Sequence, residues 1–235
     1  MCTISQAGTT RRTVRFRIWR SRRQTSTSIL GFWALDPQGA RRWYRRGWSL
    51  PLSSDNGPNW LVHPIHRELV DVAALQLCAV PDDEALRVLS VDGFATTPIN
   101  LHRWDRFDVS AGDDAFVLGF PFNMSGGHFP IWKRASIATE PDIDLEGLPK
   151  LLLDTATRKG MSGSPVLHVR RGLTNPSGAF GDDSIIGEAT GFLGIYSGRI
   201  GEDPLGVQLG IVWKAQVIDE VIAGGVKGKW HWEQS

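Results

Sequence analysis

The chain has 235 residues, of which 41% are hydrophobic and 22% are charged, and its formal net charge is +1. These proportions are ordinary for a globular protein with a buried core, and the length suits one large all-β domain or two small domains. No apolar run reaches about eighteen residues, so no transmembrane helix is predicted, and the first residues lack the apolar stretch of a signal peptide.

Short β-strands dominate the predicted secondary structure. Segments with alternating apolar and polar residues, or with apolar runs that end in glycine or proline, recur along the chain. They lie at residues 13–20, 29–36, 41–52, 70–80, 114–122, 130–141, 150–157, 164–172, 188–200 and 204–213. Only residues 214–223 have the period of an amphipathic helix, and two glycines follow them. This order predicts an all-β barrel or sandwich with one terminal helix.

Charge is distributed unevenly along the chain. Eleven arginines lie between residues 11 and 46, where Asp36 is the only acidic residue. Such asymmetry is typical of a nucleic-acid-binding arm, which gives one hypothesis for the function. The simpler interpretation is a half-buried strand with arginines on its solvated face, because apolar residues and arginines alternate over residues 13–20.

The cysteines and histidines of the chain indicate neither a disulfide framework nor a metal site. Cys2 and Cys78 are too few for a framework, and Cys78 lies in an apolar run that is typical of a buried thiol. We therefore expect a cytoplasmic protein. No cluster of histidine, cysteine and carboxylate residues has ligand spacing, so we predict no metal and no cofactor.

The stretch TATRKGMSGSPVL, residues 155–167, places Ser162 in a turn of small residues. A serine hydroxyl becomes a good nucleophile only when a base takes its proton, and its attack creates an oxyanion that needs N–H donors. Glycines allow the N–H groups of Gly160 and Ser162 to point at one position. The stretch is also similar to the G-x-S-x-G turn of α/β-hydrolases, but a proline and a strand follow it where that fold has a helix.

Residues 150–167 resemble the nucleophile segment Gly-x-Ser-Gly-(Gly/Ser)-Pro of chymotrypsin-like (trypsin-like) serine peptidases. The segment VDVAAL, residues 70–75, resembles the one that carries the triad aspartate in that family. The resemblance covers about residues 48–223 and is closest to bacterial members without disulfides. It implies that Ser162 is the nucleophile, that Asp71 is the triad aspartate, and that the amides of Gly160 and Ser162 form the oxyanion hole. Asp71 precedes Ser162 by roughly 90 residues, which agrees with the order and spacing of the aspartate and the serine in the family.

The same resemblance implies a fold, a chymotrypsin-like double β-barrel with a C-terminal helix. The first barrel would span residues 1–105 and would be incomplete if an N-terminal segment is missing. The second barrel, with the helix, would span residues 106–235. The family's function implies a peptide or protein substrate, with no membrane and no nucleic acid involved.

The resemblance also assigns a substrate-binding pocket. Its predicted residues are Ala156 at the base and, along a wall whose backbone pairs with the substrate, Tyr196, Ser197 and Gly198. An alanine at the base favours an apolar or modest side chain before the scissile bond. The cationic side chains of Arg158 and Lys159, which flank the oxyanion turn, favour acidic groups nearby.

The histidine of the family has no counterpart at its expected place. It precedes the aspartate by about 45 residues, which points to a position near residue 26, where no histidine occurs. His63 and His66 belong to the approach to the Asp71 segment. The other histidines follow Asp71, out of the family's order: His102, His128, His168 and His231. Among these we consider His128 the best alternative base, because it lies in a loop and loops can reach active sites.

Three accounts of the missing base are open. The chain begins almost inside a strand, so we interpret it as an N-terminally incomplete form of a longer peptidase. Alternatively, it is a catalytically dead pseudopeptidase that binds peptides or proteins, or an unrelated base operates. Removal of one triad member leaves only roughly a thousand- to ten-thousand-fold catalysis over water. We therefore expect a trypsin-like serine endopeptidase whose activity is impaired in this chain.

Overall fold

The computed structural model describes residues 3–5, 13–16, 25–35, 41–76, 99, 109–124, 129–174, 185–200, 208–224 and 226–229. Within these residues the chain is mostly β, with one closed six-stranded barrel and a short C-terminal helix. The prediction of an all-β barrel protein with a terminal helix is confirmed at this level.

Strands from the first part of the chain form two hairpins and, together with one C-terminal strand, a five-stranded sheet. In spatial order the sheet contains β1 (Thr3–Ser5), β2 (Thr13–Phe16), β8 (Ala74–Gln76), β7 (Trp60–Val62) and β15 (Val226–Lys227). The hairpins pair β3 (Thr25–Leu35) with β4 (Arg41–Pro51), and β5 (Ser53–Ser54) with β6 (Gly57–Pro58). The first barrel over residues 1–105 stays a prediction.

The closed barrel is built from six antiparallel strands between residues 114 and 214. These are β9 (Asp114–Gly119), β10 (Ile131–Ile137), β11 (Lys150–Asp154), β12 (Ser164–Thr174), β13 (Ile185–Arg199) and β14 (Leu209–Lys214). Around the barrel they follow the order β10-β11-β14-β13-β12-β9. Burial alternates along β9, where Ala115, Val117 and Gly119 are buried and the residues between them are not. This is the pattern of a strand with one face on a core.

The barrel core is a cluster of buried side chains to which all six strands contribute. Its members are Val109, Ala115, Val117, Ala135, Ile137, Leu151, Leu153, Met161, Val166, Leu193, Tyr196 and Val212. Met161 is 0% exposed although it belongs to no strand. Its burial anchors the turn that carries Ser162, since removing a methionine from a core costs about 2–5 kcal/mol.

A second buried cluster joins the outside of the barrel to the helix α1 (Gln216–Gly224) and to residues 70–74. Three apolar residues of α1 are buried in it, and so are Val70, Val72 and Ala74. Asp71 is exposed between Val70 and Val72. The packing of the helix against these two valines therefore fixes the backbone on both sides of Asp71.

The strand predicted over residues 70–80 is shorter in the structure. Strand β8 begins at Ala74, residues 71–73 have no strand pairing, and residues 77–80 lie outside the described residues. The N–H of Val72 donates to the carbonyl of Val70 at 2.8 Å. A bond from residue i to residue i+2 defines a γ-turn, and Asp71 is its central residue. The apolar pattern of the residues before β8 is therefore a consequence of their burial and not of strand pairing.

His63 ties the approach to Asp71 to the C-terminal helix. Its side chain is buried, and its Nδ1 accepts hydrogen bonds from the N–H groups of Ile65 at 3.2 Å and His66 at 3.1 Å. With Nδ1 an acceptor, Nε2 carries the proton and donates to Glu220 Oε2 of α1 at 2.7 Å. Both ring nitrogens are thus engaged in holding the fold, which leaves His63 no capacity to act as a base at Ser162.

His168, on β12, is a second buried histidine. Its Nε2 lies 3.4 Å from Asp113 Oδ2, and its Nδ1 has no hydrogen-bond partner among the described residues. Burial lowers the pKa of His168 below its ordinary value of 6.5, and Arg170 adds to this effect, while Asp113 and Asp114 oppose it. The folded chain therefore holds His168 neutral over a range in which the unfolded chain protonates it.

We predict that His168 makes the folded state less stable in acid. Because its folded pKa is lowered, the unfolded state binds more protons below pH 6.5, so the free energy of unfolding falls as pH decreases through that value. When the unfolded state binds one proton more than the folded state, the free energy of unfolding changes by about 1.4 kcal/mol per pH unit. Urea denaturation of the wild type and of His168→Leu tests this, with His66→Gln as the matched control. An equal slope in His168→Leu and the wild type would show that His168 is not responsible.

Candidate functional site

The serine turn, residues 158–163, places Ser162 at the surface beside the buried Met161. The N–H of Met161 donates to the carbonyl of Arg158 at 3.2 Å, and the N–H of Ser164 donates to the carbonyl of Met161 at 3.1 Å. Gly160 and Gly163 have φ values of 96° and 85°. Residues with a Cβ rarely adopt this region, so the two glycines allow the tight turn that exposes the Ser162 hydroxyl.

Ser197 occupies a β-bulge beside this turn. Tyr196 pairs with Val212 and Gly198 pairs with Ile211, so Ser197 is the extra residue between β13 and β14. A bulge redirects a side chain and is common next to active sites. Here it allows the backbone carbonyl and the hydroxyl of one residue to serve two different partners.

Those two partners of Ser197 are Ser162 and Asp71. The hydroxyl of Ser162 donates to the carbonyl oxygen of Ser197 at 2.5 Å. The hydroxyl of Ser197 donates to Asp71 Oδ2 at 2.8 Å. Ser197 therefore contacts both residues predicted as catalytic, Ser162 and Asp71, although they lie far apart in the sequence.

The contact of Ser162 with Ser197 holds the hydroxyl in place but does not activate it. A backbone carbonyl accepts a hydrogen bond and is far too weak a base to take the proton. Within the described part of the chain, His63, His66 and His168 form no hydrogen bond with Ser162. His102, His128 and His231 lie outside the described residues.

The amides of the serine turn differ in their hydrogen bonds. The N–H of Gly163 donates to the carbonyl of Tyr196 at 2.8 Å, which fixes the turn on β13. The N–H groups of Gly160 and Ser162 donate to no residue that the structure describes. N–H donors stabilise an oxyanion in acyl transfer when they point at one position, and an oxyanion hole formed by these two amides stays a prediction.

The predicted pocket wall begins at Tyr196, whose side chain is buried in the barrel core, where its hydroxyl pairs with that of Thr157. A wall formed by the backbone of residues 196–198 stays a prediction. Burial raises the pKa of Tyr196 above its ordinary value of 10.0, against opposing effects of Thr157 and Arg199. Ser197 and Gly198 are half-buried at the strand edge, and Ala156 is half-buried beside Thr157.

Residues 197–199 form a strand edge next to Ser162. Strand β12 begins at Ser164, opposite Tyr196, so the described pairings of residues 197–199 are with β14 alone. An unpaired strand edge presents N–H and carbonyl groups that an extended peptide can complete. The carbonyl of Ser197, which holds the Ser162 hydroxyl, lies on this edge.

Sequence reasoning missed the bridging role of Ser197 and the loop at residues 120–124. In that loop the N–H of Phe122 donates to the carbonyl of Lys159 at 2.8 Å. The only sequence signal for the loop was its composition, Phe-Pro-Phe after a glycine, which ends the predicted strand. The role of Ser197 depends on the bulge, and no residue type in GIYSGR signals it.

Comparisons of the chain with protein families, with curated proteins and with solved structures gave no match. In the part of the chain that the structure describes, no helix is long and apolar enough to cross a membrane. Across the same residues, no three histidine, cysteine or acidic side chains come together as a metal site.

Proposed function

We propose that the chain carries the active site of a chymotrypsin-like serine endopeptidase, with Ser162 as nucleophile and Asp71 as the orienting carboxylate. The observation that supports this most strongly is the hydrogen-bond chain from Ser162 through Ser197 to Asp71. Three segments distant in sequence converge on it, each held by its own core packing. The closed barrel and the C-terminal helix are compatible with the double-barrel fold that this proposal includes.

In the proposed reaction, Ser162 Oγ attacks the carbonyl carbon of a peptide bond while a base takes its proton. The carbonyl oxygen becomes an oxyanion, which the N–H groups of Gly160 and Ser162 stabilise. The intermediate collapses when the leaving amine takes a proton from the protonated base, and an ester on Ser162 remains. Water then hydrolyses the ester by the same steps.

The carboxylate of Asp71 would orient and stabilise the protonated base, as the aspartate does in the Ser-His-Asp arrangement. Ser197 fixes one oxygen of Asp71 close to Ser162, so the base has to lie between these two side chains. None of the residues that the structure describes supplies this base. An imidazole supplied in solution is therefore a direct probe of this position.

The experiment that tests the proposal is covalent labelling with a fluorophosphonate, with and without added imidazole. We expect slow labelling of Ser162 that imidazole accelerates, because a free base restores proton transfer without the advantage of being held in place. Ser162→Ala should abolish the label, and Ser136→Ala, at an exposed serine of β10, should leave it unchanged. A label that persists in Ser162→Ala, or no label under either condition, would contradict the peptidase proposal.

A second candidate function is peptide binding without catalysis. The observation in its favour is the strand edge at residues 197–199, which can bind an extended peptide whether or not Ser162 is activated. This candidate predicts peptide affinity that Ser162→Ala leaves unchanged, together with no labelling even when imidazole is present. Fluorescence anisotropy on both proteins distinguishes it from the peptidase.

Nucleic-acid binding through the arginines of residues 11–46 stays a prediction. Strands β1 to β4 are described by their backbone, and their side chains lie outside the described structure. Affinity for DNA or RNA that falls steeply with salt would support it, because phosphate contacts release counterions.

A further inference from the structure

The apolar loop, residues 120–124, lies directly beside the serine turn. The hydrogen bond from Phe122 N–H to the Lys159 carbonyl, 2.8 Å long, joins the two segments directly. A Cβ added to Gly119, which leads into the loop, would lie 2.2 Å from Ser164 Oγ and 2.9 Å from Met161 Sδ. Because Gly119 has no side chain, the start of the loop packs on Met161 and Ser164, which lie on either side of Ser162 in the chain.

The apolar loop exposes large hydrophobic side chains at this place. Phe120 is 42% exposed, Phe122 is 63% exposed and Met124 is 59% exposed. Phe122 also has a φ of 51°, a left-handed conformation that costs on the order of 1–3 kcal/mol for a residue with a bulky side chain. Backbone strain and clustered apolar exposure are both typical of binding surfaces.

The contacts of the serine turn place the apolar loop and the strand edge at its two ends. Near one end, the Ser162 hydroxyl and the Gly163 N–H bond to β13 at Ser197 and Tyr196. Near the other end, the Lys159 carbonyl bonds to the apolar loop. An extended peptide that pairs with the strand edge and crosses Ser162 therefore continues onto the apolar loop. It advances about 3.3 Å per residue, so its first residues beyond Ser162 reach this surface.

The charge beside the apolar loop is positive. Arg158 and Lys159 are exposed, and neither forms an ion pair with a residue that the structure describes. The Arg158 guanidinium donates to the neighbouring Thr157 carbonyl at 3.3 Å. Cations at an exposed site attract carboxylates of a ligand, and salt screens the attraction.

We propose that the apolar loop binds a large apolar side chain on the leaving-group side of the peptide, and that Arg158 and Lys159 bind a carboxylate next to it. The inference rests on the proposed binding of a peptide at Ser162, and it names the class of peptide. The favoured ligand has a Phe, Leu or Met within about two residues after the position that meets Ser162, followed or preceded by Asp or Glu. The specificity of this site thus comes from both sides of the scissile bond.

A random peptide library displayed on phage, selected on the Ser162→Ala chain, tests this proposal. We expect enrichment of peptides that pair a large apolar residue with an acidic one. Phe122→Ser should remove the apolar preference, because the hydrogen bond to Lys159 comes from the backbone of Phe122 and survives the change. Ile186→Ser is the matched control: Ile186 is 87% exposed on β13, at the opposite end of the β12–β13 pairing from Ser164.

The affinity of one enriched peptide then gives the size of the effect. Replacing its apolar residue by serine should weaken binding about tenfold to the wild-type loop and have little effect on binding to Phe122→Ser. Enrichment without an apolar preference, or equal losses in the two proteins, would overturn the inference and leave the peptidase proposal standing. If Ser162 is labelled by fluorophosphonate but no peptide is enriched, the inference is also overturned and the peptidase proposal stands. If no peptide is enriched and Ser162 is not labelled, both proposals are overturned.

Discussion

Asp71→Asn should slow imidazole-assisted labelling of Ser162 by about a hundredfold or more. In the Ser-His-Asp arrangement the equivalent change costs roughly ten-thousand-fold, because the carboxylate orients and stabilises the protonated imidazole. The effect is expected to be smaller with imidazole from solution, which is held less rigidly. The measurement is the second-order rate of fluorophosphonate labelling at Ser162, followed by mass spectrometry at saturating imidazole.

Asparagine is chosen because its side-chain oxygen can still accept the hydrogen bond from Ser197. The change therefore removes the charge of Asp71 and keeps its position. Asp142→Asn, at an exposed loop position, is the matched control for loss of one negative charge. Equal labelling rates in the Asp71→Asn chain and the wild type would exclude Asp71 from the active site, and a slower rate in Asp142→Asn would show a general charge effect.

Gly194→Ala should lower the free energy of unfolding by about 3 kcal/mol or more, enough to unfold a marginal domain. Gly194 lies on β13 between Val166 of β12 and Lys214 of β14, with φ at 150°. A Cβ at this position would lie 1.9 Å from the carbonyl oxygen of Trp213 and 2.8 Å from its carbonyl carbon. Both atoms belong to the backbone of the neighbouring strand, so β13 and β14 must separate locally.

Gly187→Ala is the matched control for this change, since Gly187 lies on the same strand and an added Cβ would meet nothing within 4 Å. Urea denaturation gives the free energies of the three proteins. A Gly194→Ala chain as stable as the Gly187→Ala chain would mean that β13 and β14 do not approach each other as the structure shows. Because Ser197 is three residues along β13, loss of this packing should also slow Ser162 labelling.

The barrel strands were predictable because their signals are local. Alternation or apolar runs bounded by glycine and proline marked all six of them, and the amphipathic period marked α1. The approach to β8 was predicted less well. Val70 and Val72 have the apolar character of a strand because they are buried against α1, yet the chain turns between them at Asp71. Burial depends on tertiary packing, and a sequence pattern cannot separate it from strand pairing.

The candidate site was predictable only in part, for a similar reason. Ser162 and its glycines form a local motif, and the resemblance pointed to Asp71. The contact between them passes through Ser197, whose position depends on the register of β13 against β14. A register shift of this kind is set by the whole barrel and leaves no mark on the residue types. The pocket wall at residues 196–198 stays a prediction, and the structure adds that the Tyr196 side chain lies in the barrel core.

The most direct test of the central proposal is whether an activated ester leaves its acyl group on Ser162. The chain is incubated with a nitrophenyl ester and imidazole, quenched in acid and digested, and the modified residue is identified by mass spectrometry. We expect one acyl group on Ser162, absent in Ser162→Ala and much reduced in Asp71→Asn. Acylation confined to lysine side chains, or an acyl group on Ser162 that forms equally fast in Asp71→Asn, would contradict it.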